Sequence, residues 1–166
     1  MIGKQRKKNE VKHNGDVTTL YTSDRKEIVI DTEDYPMVSK HCWNILRSGY
    51  VTAKISGKPI YLHRFILNPS SDMEVDHINC NKADNRKENL RICRHYQNSK
   101  NIKKKSNNTS GIVGVTYDKR RNKWVARIWD NGQKIHLGEF KDIEDAIKTR
   151  KEAEIKYYGE YAYKGE

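Results

Sequence analysis

The 166-residue sequence predicts an α+β protein. An N-terminal region of short strands runs into a strand, loop, strand, helix motif, and a small three-stranded antiparallel sheet packed on one helix follows. Three observations predict this. Short β-type runs separated by turn residues fill residues 17–63. Asn131-Gly132 sits between alternating runs, the strongest short hairpin signal a sequence offers. Beyond Asp142 the apolar residues change to helical spacing.

The chain opens on "MIGKQRKKNEVKHNG", which has the Lys and Arg of a signal peptide's first region but no apolar stretch behind them. Residues 1–15 read as a flexible basic arm, mobile until it meets a phosphate backbone. Strands follow at "VTTLYT" (17–22), "EIVID" (27–31), "GYVTAKI" (49–55) and "PIYLH" (59–63), divided by "SDRK", "NILRS" and "SGK". "RFIL" (64–67) fits a short helix or the end of the last strand, and "NPSSD" (68–72) breaks the chain. "EVDHI" (74–78) and "NLRIC" (89–93) read as two strands joined by a long polar loop, with "RHYQNSKN" (94–101) as a helix.

The run "IKKKSNNTSG" is a composition break, so residues 103–110 read as a basic linker between a domain over 16–102 and a second over 111–162. In the second, "GVTYD", "KWVARIWD" and "QKIHLGEF" form the three strands. Asp142 can cap the helix, Ile143, Ala146, Ile147, Arg150, Ala153 and Tyr157 share one face, and Gly159 stops it. Ala146 and Ala153 are small enough to let that helix lie close on the sheet.

Thirty-three Lys and Arg against 22 Asp and Glu give a formal charge of +11. A field of that sign favours a polyanionic partner, because each neutralised phosphate releases condensed counterions. Cys42, Cys80 and Cys93 are odd in number, far apart and without a CxxC pair. Neither a disulfide framework nor a zinc ribbon is indicated, which points to a reducing, intracellular setting. No run approaches the length of a membrane span.

The chemistry concentrates in residues 74–101. Cutting a phosphodiester needs a base to activate water, a cation to stabilise charge on the phosphate and leaving group, and positive groups to hold the backbone. His77 is the candidate base, since an imidazole accepts a proton near neutral pH. Asp76, on the other side of the strand, offers a hard oxygen suited to Mg²⁺ or Mn²⁺, and the Asn98 side-chain carbonyl is a second ligand of the same kind. Asn89 is placed to bond loop backbone and hold His77, while Arg86, Lys87, Arg91 and Arg94 supply phosphate contacts.

"VDHINCNKADNRKENLRICRHYQNSKN" resembles the HNH nuclease family, and its phage and group I intron homing endonucleases in particular. The resemblance implies a ββα-metal fold with His77 as general base, Asp76 and Asn98 as metal ligands and Asn89 as the structural Asn. Asn98 stands where some members have a third His, which argues for a hard divalent ion and against zinc. "YLHRFILN" also looks like the segment before the motif in such proteins, with His63 left outside the chemistry.

In the C-terminal sheet Trp124, Ala126 and Ile128 alternate with Val125, Arg127 and Trp129, so one set packs on the helix and the other is exposed. Alternation does not decide which. Arg120, Arg121, Lys123, Arg127 and Lys134 with Trp129 or Trp124 make a basic and aromatic surface of the kind sheets use to read DNA grooves. "SGIVGVTYDKRRNKWVARI", "HLGEF" and the Ala-bearing helix resemble the plant ethylene-response-factor (APETALA-type) DNA-binding domain. That resemblance implies that Arg120, Arg121, Lys123, Trp124, Arg127 and Trp129 lie on or near a DNA-facing sheet. Arg127 and Trp129 depart from the plant pattern, so base preference does not transfer.

The sequence therefore predicts a metal-dependent endonuclease acting on double-stranded DNA in the cytoplasm of a bacterial host, of phage or mobile-element type, with site choice aided by the second domain. The alternatives are a DNA-binding regulator on an inactive HNH fold, and a non-specific or restriction nuclease.

Overall fold

The computed structural model describes residues 8–101 and 108–163. Several small antiparallel sheets and few helices make the chain a mixed α+β protein. It divides into two compact units, Met1–Arg94 and His95–Glu166. The sequence reading placed its boundary at Ile102, where the composition changes. Residues 1–7 of the expected arm, residue 102 at the end of the expected first domain and 103–107 of the expected linker lie outside the described residues.

The first unit opens with a meander of β1 (Glu10–Asn14), β2 (Val17–Tyr21) and β3 (Glu27–Asp31). Residues 10–14 were expected to belong to a mobile arm; they are a strand instead. All five are exposed, so nothing in their polarity betrays them, and they are held by the ladder that pairs Glu10 with Tyr21 through to Asn14 with Val17. Asn9 clamps the strand's entry, its Nδ2 donating to the carbonyls of Tyr21 and Trp43 and its Oδ1 accepting from the Trp43 N–H.

A 3-10 turn at Thr32–Asp34 leads into helix α1 (Tyr35–Val38), whose Pro36 sits in the first turn where no N–H is needed. A second sheet of β4 (Asn44–Ile45), β5 (Val51–Ile55) and β6 (Lys58–Tyr61) precedes helix α2 (Leu62–Leu67). Of the two readings left open for 64–67, the helix is correct; it ends at Asn68 with a left-handed φ of 43°. One core joins these parts: Leu20, Ile28 and Ile30 from the first sheet, Val38, Trp43, Val51 and Ala53, and Leu62 of α2. Trp43 is fully buried and its indole N–H donates to the Val38 carbonyl at 2.8 Å, satisfying the ring's one polar group. Strands β7 (Glu74–His77) and β8 (Leu90–Cys93) then form a separate antiparallel pair.

The second unit begins with helix α3 (His95–Asn98). Its sheet runs in the order β11-β10-β9, with β9 at Val115–Asp118, β10 at Lys123–Asp130 and β11 at Gln133–Phe140. Asn131 and Gly132 both take positive φ, 48° and 76°, as a two-residue hairpin turn of this twist requires. Helix α4 (Ile143–Tyr158) lies on the sheet, with Ala146, Ala153 and Tyr158 buried against Val115, Ala126 and Ile128. Asp142 occupies the cap position in an extended conformation but makes no side-chain cap bond. The first turn instead carries Glu144 and Asp145, whose charge opposes the positive end of the helix dipole. Among the described residues no helix is long and apolar enough to cross a membrane.

Candidate active site

The paired strands β7 and β8 set the site's frame. Their register places Asp76 opposite Arg91 and His77 opposite Leu90. Residues directly opposite share a face, and neighbours along a strand point to opposite faces, so Asp76 and His77 look different ways. Arg91 donates through Nε at 2.9 Å and Nη2 at 2.5 Å, both to Asp76 Oδ2. Asp76 is 7% exposed, a burial that a carboxylate tolerates only with such charged donors.

His77 is 4% exposed, at the end of β7. Its ring meets His63 edge-on, with centroids 5.1 Å apart, and lies 6.2 Å from Tyr50. Burial pulls its pKa below the ordinary histidine value, against the opposing influence of Asn85 and Asp76. The imidazole is therefore neutral near pH 7, the state a general base requires.

Between the strands, residues 79–89 form a loop that is polar and largely internally bonded. Asn79 Oδ1 accepts from the Asn81 N–H, and Asn81 Oδ1 accepts from the Ala83 N–H. Cys80 takes a left-handed φ of 58° at the turn between them. It is thus a turn residue. Asn89 is 5% exposed and staples two stretches of this loop: its Oδ1 accepts from the Asn79 N–H at 2.9 Å and its Nδ2 donates to the Asp84 carbonyl at 2.8 Å. The loop also docks on the edge of the first sheet. Val29 of β3 donates to the Ala83 carbonyl and accepts from the Asn85 N–H, at 2.9 and 2.7 Å.

The cations read as phosphate contacts are partly engaged here. Arg86 forks onto Asp84 at 2.8 Å and also pairs with Glu88. Burial works to raise the Asp84 carboxyl, but the Arg86 bonds win and hold it below its ordinary value. Lys87 reaches Glu33 at 2.6 Å and Asp34 at 3.1 Å, while its backbone N–H donates to Asp31. Arg86, Lys87 and Arg91 thus brace the loop and strand, and Arg94 is exposed. Lys87 also explains why Asp31, Glu33 and Asp34, close enough together to hold a cation, have one built in.

Two residues enter the site that sequence reasoning left out. His63 of α2, 6% exposed, touches His77; its segment was noticed but its position was not derivable. Asn85, fully buried, faces the His77 ring with Oδ1 3.4 Å from Nε2. The sequence offers for it only one more Asn in a polar loop. Asn98 lies on α3, in the second unit. A cavity of about 700 Å³ lined by Lys8, Asn9, Arg25 and Asn44 shares no residue with this cluster.

On the second unit's sheet, Trp124, Ala126 and Ile128 turn toward α4, and Trp124 packs with Val115, Ala126 and Ala146. Trp124, one of the residues expected on the DNA-facing side, is thus drawn into the helix-side core because its large apolar ring is what fills the space there. The other face carries Arg127 opposite His136 and Trp129 opposite Lys134, with Trp129 58% exposed. Arg121 and Lys123 both pair with Glu139, and Arg120 is exposed in the turn.

Residues 68–100 match the family described as HNH endonuclease. An uncharacterized HNH endonuclease of Acanthamoeba polyphaga mimivirus is 32% identical over 139 residues, 80% of this chain and 71% of the viral protein. The chain belongs to the HNH endonuclease family. Protein 3.8 of Escherichia phage T7 is also 32% identical over 82 residues, 47% of this HNH chain and 67% of the phage protein. No solved structure matches the chain. HNH endonucleases act on DNA and generally use a divalent metal ion. In this HNH chain the buried Asp76 carboxylate is a hard oxygen donor, of the kind that fits a hard divalent ion better than a soft one.

Proposed function

We propose that this chain is a metal-dependent endonuclease that hydrolyses phosphodiester bonds in duplex DNA, of the phage or mobile-element homing type, with its second unit aiding site choice. The observation that carries the reading is the buried His77 at the end of β7, held neutral by its surroundings and set in a loop braced by Asn89, within a chain of the HNH family.

His77 accepts the proton of the attacking water, and Asn89 keeps the loop that carries it closed. Arg94 and the basic residues of the second unit hold the phosphate backbone, a role for which exposed guanidinium groups are suited. Asp76 and Asn98 would hold Mg²⁺ or Mn²⁺, which when bound supplies positive charge against the leaving 3′ oxygen. On the second unit the Arg127, Trp129, Lys134 face, with Arg120 beside it, lies against the duplex, a reading supported by the exposure of Trp129, Lys134 and Arg120 and by the chain's charge of +11. The likeness to ethylene-response-factor domains belongs to this part of the proposal.

The test is incubation of wild type and His77→Ala with supercoiled plasmid in Mg²⁺, in Mn²⁺ and in EDTA. The expected result is relaxed or linear product from wild type with metal only, and from His77→Ala none, with DNA affinity within a few-fold. Cleavage by His77→Ala at the wild-type rate overturns the assignment of the base. A band shift with no cleavage by wild type overturns the nuclease reading in favour of a DNA-binding regulator.

A further inference from the structure

The geometry points to Asn85 as the positioning residue that sets which nitrogen of His77 acts as the base, a role that rests on the nuclease reading above. Three bonds carry the argument. Asn85 Nδ2 donates to the Lys82 carbonyl at 3.3 Å, which decides the orientation of the amide, since a carbonyl accepts only from the NH₂ end. Oδ1 is thereby turned to the His77 ring, 3.4 Å from Nε2. An amide oxygen only accepts, so Nε2 must be the protonated nitrogen, and in a neutral imidazole the lone pair then belongs to Nδ1.

The third bond explains why Asn85 can hold that orientation. Its backbone N–H donates to the Val29 carbonyl at 2.7 Å, and Val29 in turn donates to Ala83 at 2.9 Å. Val29 and Asp84 form a parallel bridge, so the loop is one short strand added to the open edge of the first sheet. Asn85 itself is fully buried, so water does not compete for its amide. The N-terminal sheet thus reaches the reacting group through one side chain. An Asn at this position has a purpose that a generic loop residue would not: a donor to fix its own orientation and an acceptor to fix the ring's.

The test uses full-length protein labelled with ¹⁵N at histidine, together with single-turnover cleavage. In wild type without DNA, the His77 ring nitrogens should give the signature of the Nε2–H tautomer. Asn85→Leu keeps the backbone bond to Val29 and removes the acceptor. Its His77 signals should move toward the other tautomer or an exchange average, and kcat should fall about 10- to 100-fold with KM for DNA within a few-fold. Asn85→Asp keeps an acceptor for Nε2–H, and should retain the wild-type signature and recover most of the lost rate. The inference is overturned if His77 is the Nδ1–H tautomer in wild type, or if Asn85→Leu leaves signature and kcat unchanged. It also falls if Asn85→Asp is as slow as Asn85→Leu while holding the wild-type signature, because the rate loss would then be structural. Wild type that shows the Nε2–H signature yet cuts no DNA overturns the nuclease reading, and with it the catalytic purpose of the bond, while the signature itself reports the bond separately.

Discussion

His63 shows how much a single side chain can cost in this interior. Burial, then the neighbouring His77 and Arg64, push its imidazole from the ordinary 6.5 down to about 4. Its Nδ1 is buried without a hydrogen-bond partner. The sign follows from the direction of the shift. The unfolded chain takes up a proton near pH 6.5 and the folded chain only near 4, so this residue's contribution is fully present above 6.5 and is lost as pH falls toward 4. A shift of that size corresponds to about 3 kcal/mol at most, for a residue only 6% exposed. Replacing His63 by Leu should flatten the fall in stability between pH 6.5 and 4 by about 2–3 kcal/mol, measured by urea unfolding at several pH values. Equal slopes in the two proteins would show that His63 titrates normally.

At the scale of elements, the loop between β7 and β8 is held by the edge of β3 as firmly as by its own turns. An open sheet edge is a liability, and covering it with Ala83–Asn85 both protects it and fixes the loop. Lys87 closes the same joint from the side-chain direction through Asp31, Glu33 and Asp34. Its partner Glu33 is 70% exposed and contributes little, whereas the Asp34 side chain is 8% exposed and keeps a buried Oδ2 without a hydrogen bond. Lys87→Met should therefore destabilise the chain by about 1–2 kcal/mol in thermal or urea unfolding, while DNA affinity changes less than twofold. A large loss of affinity with unchanged stability would return Lys87 to the phosphate contacts.

Much of this scale was legible beforehand. "EIVID" announces β3 by its β-branched residues, and Asn131-Gly132 announces the β10–β11 hairpin, because the pattern and the turn chemistry are both local. Strand β1 was not legible, since its five exposed residues owe their place to backbone pairing alone. Helix α1 was hidden by Pro36, which reads as a breaker but sits where a first turn accepts it. In the candidate site, Asp76, His77 and Asn89 stand out in the sequence by residue type and order. Asn85 does not, because its partners Val29 and His77 are brought to it by a sheet edge more than fifty residues earlier in the chain and by the end of a strand.

For the whole molecule, the question is how a charge of +11 is put to use. Many cations are already spoken for: Arg86, Lys87 and Arg91 in the first unit, and Arg121, Lys123 and Arg150 in the second, all pair with carboxylates. What the second unit presents outward is the sheet face away from α4, where Arg127 stands opposite His136 and Trp129 opposite Lys134. The backing for that face is independent of it, because Ala126 and Ile128 point the other way into the helix-side core. Trp129 is 58% exposed, so its ring is accessible to a partner that stacks on it. Replacing Arg127 and Trp129 together by Ser should leave the thermal midpoint within a few degrees. It should weaken DNA binding about 10-fold and reduce the slope of log affinity against log salt by about one, as expected for the loss of one phosphate contact and one aromatic platform. Cleavage at saturating DNA should change far less than affinity, since neither residue has a part in the proposed cleavage chemistry. Unchanged affinity and salt slope would remove this face from the DNA contact. A cleavage rate that fell as far as the affinity would mean that the second unit governs the chemistry as well as the grip.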